Sequence, residues 1–333
     1  MKNILITGGS GFIGTNLVNY LNRKNFSVTN LDKQSIVSTP EKFKQKTTKY
    51  KFYKVNINNI KKIRPILLMN YSTIIHLAAE SHVDRSIDSP KNFFLENINS
   101  TINFYNEINN LVKKNKIRKP NIIHISTDEV YGSVKKGESK ENSKIFTSSP
   151  YSASKASSEN IAQFYLETYG LNICILRITN NFGPFQFPEK LIPKIILRAF
   201  DKKKIPIYGK GKNIREWIYV EDTCEAIYLI IKNFQTKEVF NIGSNQRLDN
   251  LMVSKTILKQ LKYSNKNLIF VKDRPGHDLR YALNSTSFRK RYKWRNKHSF
   301  NKGIKKTISW YKNNESWLNE IKKKYKDKRL GSL

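Results

Sequence analysis

Thr7-Gly8-Gly9-Ser10-Gly11-Phe12-Ile13-Gly14 decides how this chain is read. Taken from Gly9, Gly11 and Gly14 it is G-x-G-x-x-G; taken from Gly8, Gly11 and Gly14 it is the G-x-x-G-x-x-G variant. The apolar run Asn3 to Thr7 before it is spaced as a short strand. Phe12 to Lys24 behind it carries Phe12, Ile13, Leu17 and Leu21 at helical spacing. Glycine suits such a strand–helix turn because the turn is tight, the pyrophosphate of a dinucleotide needs close backbone approach, and helix must pack near strand. The helix N-terminus then faces the phosphates. A strand over Ser27 to Leu31 ends at Asp32, placed to hydrogen-bond a ribose diol and to favour NAD over NADP. Lys33 beside it is a counter-signal, and a purely structural glycine turn is the competing reading.

Outward from this turn the alternation continues. Lys51 to Ile57, Thr73 to Leu77, Asn121 to Ile125 and Asn172 to Arg177 read as strands. The spacing predicts helices to about Met69, over Pro90 to about Lys114 with Phe93, Phe94, Ile98, Ile102 and Tyr105 on one side, and over Ser152 to Tyr169. Strands parted by helices predict right-handed βαβ units, hence an α/β fold with a Rossmann-type doubly wound parallel sheet. After Asn181 the elements shorten and Pro184, Pro188, Pro193, Pro206 and Pro275 enter, which predicts a smaller mixed α/β substrate-binding domain. The expected divisions are 1–180, 181–320 with parts free to return to the first sheet, and a basic tail at 321–333 read as a frayed helix.

Composition bounds the function. At 333 residues, with 38% hydrophobic and 12% aromatic residues, the chain is long and apolar enough for a real core, which excludes a wholly disordered protein. No run approaches the roughly 18–20 apolar residues of a membrane span, and Met1-Lys2-Asn3 leads into the first strand without a secretory h-region. A cytoplasmic protein with no membrane partner is expected. Cys174 and Cys224 each sit in an apolar run and are expected to be buried thiols. Lys+Arg 61 against Asp+Glu 26 gives a net charge of +35. The chain is also rich in Asn and Ile, so the charge reads as compositional drift on a solvated surface. An acidic partner, or a basic field steering an anionic substrate, is the other reading. No specific nucleic-acid partner is expected.

Further segments fall where such a fold collects its chemistry. Ser126-Thr127-Asp128-Glu129 follows the fifth strand, at the carboxyl edge of the sheet where ligands bind. Tyr151 and Lys155 open the next helix at i,i+4, on one face. An ammonium beside a phenol favours phenolate, so Lys155 is expected to lower the Tyr151 pKa. Such a pair beside a nicotinamide can take a proton from an alcohol while hydride leaves its carbon. No Cys/His/Asp cluster has metal spacing, so no metal is expected and His82 and His277 are assigned hydrogen-bonding roles.

Together these segments resemble the extended short-chain dehydrogenase/reductase family, and within it the NAD-dependent epimerases and dehydratases of nucleotide sugars. The resemblance runs from about Lys2 to Trp317. It is carried by Ile4 to Gly9, His76 to Asp88, Ser126 to Gly132, Ser149 to Ser158, Asn180 to Pro193, Arg215 to Asp222 and Asp273 to Tyr281. It implies a lyase that removes water from a nucleotide-activated glucose, with dTDP-glucose as the expected substrate and transient oxidation at C4 by bound NAD. Tyr151, with Lys155, would take the O4 proton and Thr127 would hydrogen-bond that oxygen. Glu129 would take the C5 proton and Asp128 would protonate the departing C6 hydroxyl. Dehydration needs these additional proton movements, which an epimerase does not. Burial and a neighbouring carboxylate both raise a carboxyl pKa, so adjacent Asp128 and Glu129 can divide the roles of acid and base.

Other positions carry over by motif. The resemblance implies that Gly8, Gly11, Phe12, Ile13 and Gly14 hold the pyrophosphate of NAD, and Asp32, Lys33, Gln34 and Ser35 the adenosine ribose. Asn56 and Ile57 would lie at the adenine, and Leu77, Ala78, Ala79, Glu80, Ser81 and Asn181 along the cofactor. Ser81, Thr127 and Asn180 would touch substrate. Lys190, Leu191, Pro206, Ile207, Tyr208, Arg215, Asn250, Asp273, Arg274, Pro275, Gly276 and His277 would hold its nucleotide diphosphate. Asn56 stands where the family usually has Asp, and Glu96 where it has Thr. A homodimer is expected, through the helices at Pro90 to Lys114 and Ser152 to Tyr169. The alternatives are a UDP-glucose 4,6-dehydratase, another nucleotide-sugar epimerase or dehydratase, or a nucleic-acid-binding protein on a retired dehydrogenase fold.

Overall fold

Ile4, Leu5 and Ile6 are fully buried, as a strand covered on both faces requires. The chain is described by a computed structural model over residues 3–44 and 47–325. Strand β1 (Asn3–Thr7) pairs in parallel with β2 (Ser27–Asp32), which pairs with β3 (Tyr50–Lys54). On the other side β1 pairs with β4 (Thr73–His76), followed by β5 (Asn121–Thr127) and β6 (Asn172–Ile178). The connection reverses between β1 and β4, so a crevice opens beyond their carboxyl ends. The later strands are β7 (Asn180–Phe182), β8 (Ile205–Tyr208), β9 (Ile214–Tyr219), β10 (Val239–Ile242), β11 (Arg247–Asp249) and β12 (Leu268–Val271). Of these, β10 returns to extend the parallel sheet beside β6. In a smaller sheet β9 lies between β7 and antiparallel β11, while β8 and β12 form a parallel pair.

Helices cover both faces of the large sheet. One core packs Leu17, Val18 and Leu21 of α1 (Phe12–Arg23) with Ile227 and Ile230 from the helix Val220–Lys232 and Phe288 from Thr286–Tyr292. The opposite core takes Ile63 and Ile66 of α2 (Ile60–Leu67), with Phe104 and Ile108 from Ser100–Lys113 and Tyr165 from Pro150–Glu167. A third core, built on Phe182, Ile196, Trp217, Ile257, Tyr311 and Trp317, lies under the smaller sheet.

Several expectations need correction. The helix from Pro90 runs unbroken to Lys113 as expected, but it is not α-helical throughout: α-helical Pro90–Phe94 and Ser100–Lys113 are joined by a π-helical turn over Leu95–Asn99. The third strand ends at Lys54 and the fifth extends to Thr127, so Thr127 is itself a strand residue. Val83–Asp88 is a short helix that no sequence pattern announced. The basic tail is not frayed as far as Lys324. The helix Glu315–Lys324 buries Trp317, Leu318 and Ile321, and Lys322 Nζ sits 2.8 Å from Asp201 Oδ1. The rest of the tail, from Lys326, lies outside the described residues.

Candidate active site

A cavity of about 440 Å³ runs from the glycine turn to the smaller sheet. At its floor the glycines do different work. Gly8 has φ +72°, and a Cβ there would stand 2.7 Å from the Ala78 nitrogen; a Cβ on Gly14 would stand 2.3 Å from the Gly8 carbonyl oxygen. These two positions are closed by packing. A Cβ on Gly11 would meet only the Gly8 oxygen, at 3.3 Å, so Gly11 leaves its cavity side clear for a ligand. Asp32 holds the turn together: its carboxylate accepts from Ser10 N at 3.0 Å and Gln34 N at 2.7 Å. The open glycine, the helix N-terminus above it and a buried carboxylate at the end of β2 fit a dinucleotide.

The π turn explains how the cofactor side is fixed. It aims the Asn97 side chain at the loop after β4, where its Oδ1 accepts from Glu80 N at 2.7 Å and its Nδ2 donates to Glu80 O at 3.0 Å. The same turn places Glu96 2.8 Å from Lys33 Nζ. Glu96 is therefore a partner of Lys33, with Glu80 the other.

The reacting end is assembled from β5, a 3₁₀ turn over Asp128–Tyr131 and the helix Pro150–Glu167. Thr127 caps the turn, its Oγ1 accepting from Glu129 N at 3.3 Å and donating to Asp128 Oδ1 at 3.2 Å. Pro150 at the first helical position and a capping box between Ser149 and Ser152 pin the helix start that carries Tyr151. Burial, and then Glu129, push Asp128 up to about 8. Burial also raises Glu129, opposed by Arg274, Lys190 and Arg215. Both carboxyls are thus raised by burial, and the cations Arg274 and Lys190 act only on Glu129.

The expected effect of Lys155 on Tyr151 is not what the structure holds. Lys155 Nζ donates to the Ile125 carbonyl at 2.6 Å, and burial lowers its pKa to about 8. Burial and Glu129 drive the Tyr151 phenol upward, with a hydrogen bond from Thr127 pulling the other way. Sharing a helix face puts both groups in one pocket, but the lysine's hydrogen bond goes to the backbone of β5 and not to the phenol.

The cavity gathers Gly8, Gly11, Phe12, Ile13, Gly14, Asp32, Lys33, Ser35, Asn56, Ile57, Leu77 to Ser81, Asn180 and Asn181 with the reacting groups. Lys190, Leu191, Pro206, Ile207, Tyr208, Arg215, Asn250, Arg274 and His277 line its far end. Gln34, Asp273, Pro275 and Gly276 are not in its lining. Gln34 turns back to Ser10, donating from Nε2 to Oγ at 2.8 Å, while Asp273 faces His277 Nδ1 at 2.6 Å. A Cβ on Gly276 would stand 2.9 Å from the Ser148 carbonyl oxygen. His82 caps the short helix, its Nδ1 accepting from Arg85 N at 3.2 Å. Sequence reasoning missed Asp84, whose carboxylate receives Arg274 Nη1 at 2.6 Å and the Tyr208 hydroxyl at 3.2 Å. It also missed Thr179, at the end of β6 beside Asp128. Its position at a strand's carboxyl end was the available signal.

Known proteins share this sequence pattern and fold. The family model described as GDP-mannose 4,6 dehydratase matches residues 5–307. A probable dTDP-glucose 4,6-dehydratase of Sinorhizobium fredii is 40% identical, covering 99% of each chain. The dTDP-glucose 4,6-dehydratase 1 of Escherichia coli K12 is 38% identical over 96% of this chain and 95% of that one. Among solved structures, DesIV, a dTDP-glucose 4,6-dehydratase from Streptomyces venezuelae with NAD bound, superposes with a TM-score of 0.90 at 33% identity, over 96% of this chain and 99% of that one. With a family match and relatives of this breadth, on a parallel sheet whose carboxyl edge carries Thr127, Asp128, Glu129 and Tyr151, the chain belongs to the nucleotide-sugar 4,6-dehydratases of the extended short-chain dehydrogenase/reductase family.

Proposed function

We propose that the chain is a dTDP-glucose 4,6-dehydratase using NAD, converting dTDP-glucose to dTDP-4-keto-6-deoxyglucose. The observation that carries this reading is the pair of buried Asp128 and half-buried Glu129 beside Tyr151, with Asp128 pushed up to about 8. A carboxylic acid that keeps its proton near neutrality can protonate a leaving hydroxyl.

NAD, when bound, supplies the acceptor for hydride from C4 and returns it at C6. Its pyrophosphate would be held by the turn at Gly8, Gly11, Phe12, Ile13 and Gly14, and its adenosine by Asp32, Lys33, Ser35, Asn56 and Ile57. Tyr151 takes the O4 proton, and its phenolate is favoured when the Thr127 hydroxyl turns from Asp128 to donate to it. Lys155 adds positive charge below the same pocket. Once C4 is a ketone the C5 proton is acidic; Glu129 removes it, with Arg274, Lys190 and Arg215 opposing the burial that raises its carboxyl. Asp128 protonates the C6 oxygen, which leaves as water, and Glu129 returns its proton to C5 as C6 is reduced. The 181–320 region supplies the diphosphate site, where Arg215, Arg274 and Lys190 match an anion by charge and Arg by its bidentate fork.

The buried thiols Cys174 and Cys224 support a cytoplasmic setting. Exposed Phe94, Leu95, Ile102 and Phe164 on neighbouring helices support a homodimer. The test is turnover of dTDP-glucose and UDP-glucose side by side without added NAD, read as the alkali-sensitive 4-keto product. A preference for dTDP-glucose of roughly 10–200-fold, the worth of one methyl in a pocket, is expected. Equal turnover removes the thymidine assignment, and no keto product removes the enzyme assignment.

A further inference from the structure

Thr179 sits between the two sheets, where β6 gives way to β7. It is 4% exposed, and its backbone N–H donates to Ile242 O at 3.1 Å. Its Oγ1 lies 2.8 Å from Asp128 Oδ2 and 3.0 Å from the backbone oxygen of Glu216. A threonine hydroxyl has one proton, and a backbone carbonyl can only accept. When Thr179 donates to Glu216, the short contact to Asp128 is a hydrogen bond only if Asp128 donates, that is, if the carboxyl is protonated. When Asp128 is a carboxylate, the same hydroxyl can turn and donate to it.

We propose that Thr179 is a positioning residue that serves Asp128 in both of its states, accepting from the carboxylic acid and donating to the carboxylate left after proton transfer. This rests on the reading of Asp128 as the acid of the elimination. In that step the one Asp128 O–H turns from Thr179 to the C6 oxygen, its bond breaks and its proton joins that oxygen. The C6–O electron pair leaves with that oxygen as water, while the C5–H pair becomes the new C=C bond and its proton goes to Glu129. Thr179 gains and loses no proton; it only re-aims one. Its anchor is firm, because Glu216 is fully buried and held through its side chain by Arg247 Nε at 3.0 Å and Leu283 N at 3.1 Å. The charged and titratable groups that also face Asp128 are Glu129 on its own turn, Tyr151 on the helix opposite, and Arg215 and Glu216 on β9. None of these can alternate between donor and acceptor in this way without a change of charge except the Tyr151 phenol, which the first oxidation step occupies.

The test uses the holoenzyme in single turnover, with C4 oxidation followed by absorbance of the reduced nicotinamide and dehydration by product. Thr179→Val is expected to leave oxidation within about twofold while slowing dehydration roughly 10–100-fold, the usual loss for a hydrogen bond to a charged group. The alkaline limb of dehydration should move to higher pH, since the carboxylate loses more than the acid does. Thr179→Ser, which keeps the hydroxyl, should restore both readouts. Should Thr179→Val not fold, Thr179→Ala takes its place against the same serine control. An unchanged dehydration rate and pH limb in the hydroxyl-free variant overturns the proposal, as does a serine variant equally impaired. Asp128→Asn run alongside separates the levels. If it dehydrates at the wild-type rate, the acid assignment falls and Thr179 with it; if it fails while Thr179→Val does not, only the role of Thr179 falls.

Discussion

Lys33 Nζ lies 2.8 Å from Glu96 Oε2 and 3.1 Å from Glu80 Oε1, tying the end of β2 to the π turn and to the loop after β4. All three line the cofactor end of the cavity. The Lys33 and Glu96 side chains are each about a third exposed, so the pair is worth about 0.2–1 kcal/mol. Glu96→Thr should therefore leave the melting temperature nearly unchanged and weaken NAD retention modestly. A double-mutant cycle with Lys33→Ala, read as NAD affinity, should give a coupling in that range that shrinks as salt is added. Zero coupling at low salt would count against the pair as a cofactor-side contact.

The division of roles predicts different failures for two variants. Asp128→Asn should still oxidise C4 but lose roughly 10²–10⁴-fold in elimination, so reduced cofactor accumulates in a single turnover. Tyr151→Phe should block the first step and accumulate none. Identical behaviour of the two would show that the assignment is wrong.

Acidity gives a further prediction. Dehydration needs protonated Asp128, so its rate should fall as pH rises through about 8, where Lys155 also loses its charge. Stability carries the same signature with a definite sign. Folded Asp128 binds its proton more tightly than the unfolded chain does, where a carboxyl titrates near about 3.9. Between about 4 and about 8 the folded state holds the extra proton, and its stability declines as pH rises. Melting temperatures across that window should fall more steeply for the wild type than for Asp128→Asn.

Assembly is tested by size-exclusion chromatography with light scattering. Phe94, Leu95, Ile102 and Phe164 are 36%, 44%, 38% and 37% exposed, on helices that cover one face of the large sheet. A twofold dimer at micromolar concentration is expected, and Leu95→Glu with Ile102→Glu should yield monomer. A wild-type monomer would contradict the dimer.

Much of the fold was legible because its signals are local. The turn from Gly8 to Gly14, the apolar run Ile4 to Ile6 and the acid at Asp32 each act within a few residues, and the parallel sheet follows from their alternation with helices. Tyr151 and Lys155 were legible as residues but not as a contact, because i,i+4 spacing fixes a helix face and not where a long side chain ends. The π turn at Leu95–Asn99 was not legible, since its reason is tertiary: Asn97 docks on Glu80 and Glu96 pairs with Lys33. Thr179 and Asp84 were silent for the same cause. Their partners lie 51 and 190 residues away.

The central claim is that one site oxidises C4, eliminates water across C5 and C6, and reduces C6. Its most direct test supplies the holoenzyme with dTDP-glucose deuterated at C4, in ordinary water and without added cofactor, and locates the label in the product by NMR. The account predicts a 4-keto product that has lost one water and carries the deuterium at C6. Deuterium washed out to solvent, or retained at C4 in an epimer that has lost no water, would contradict it.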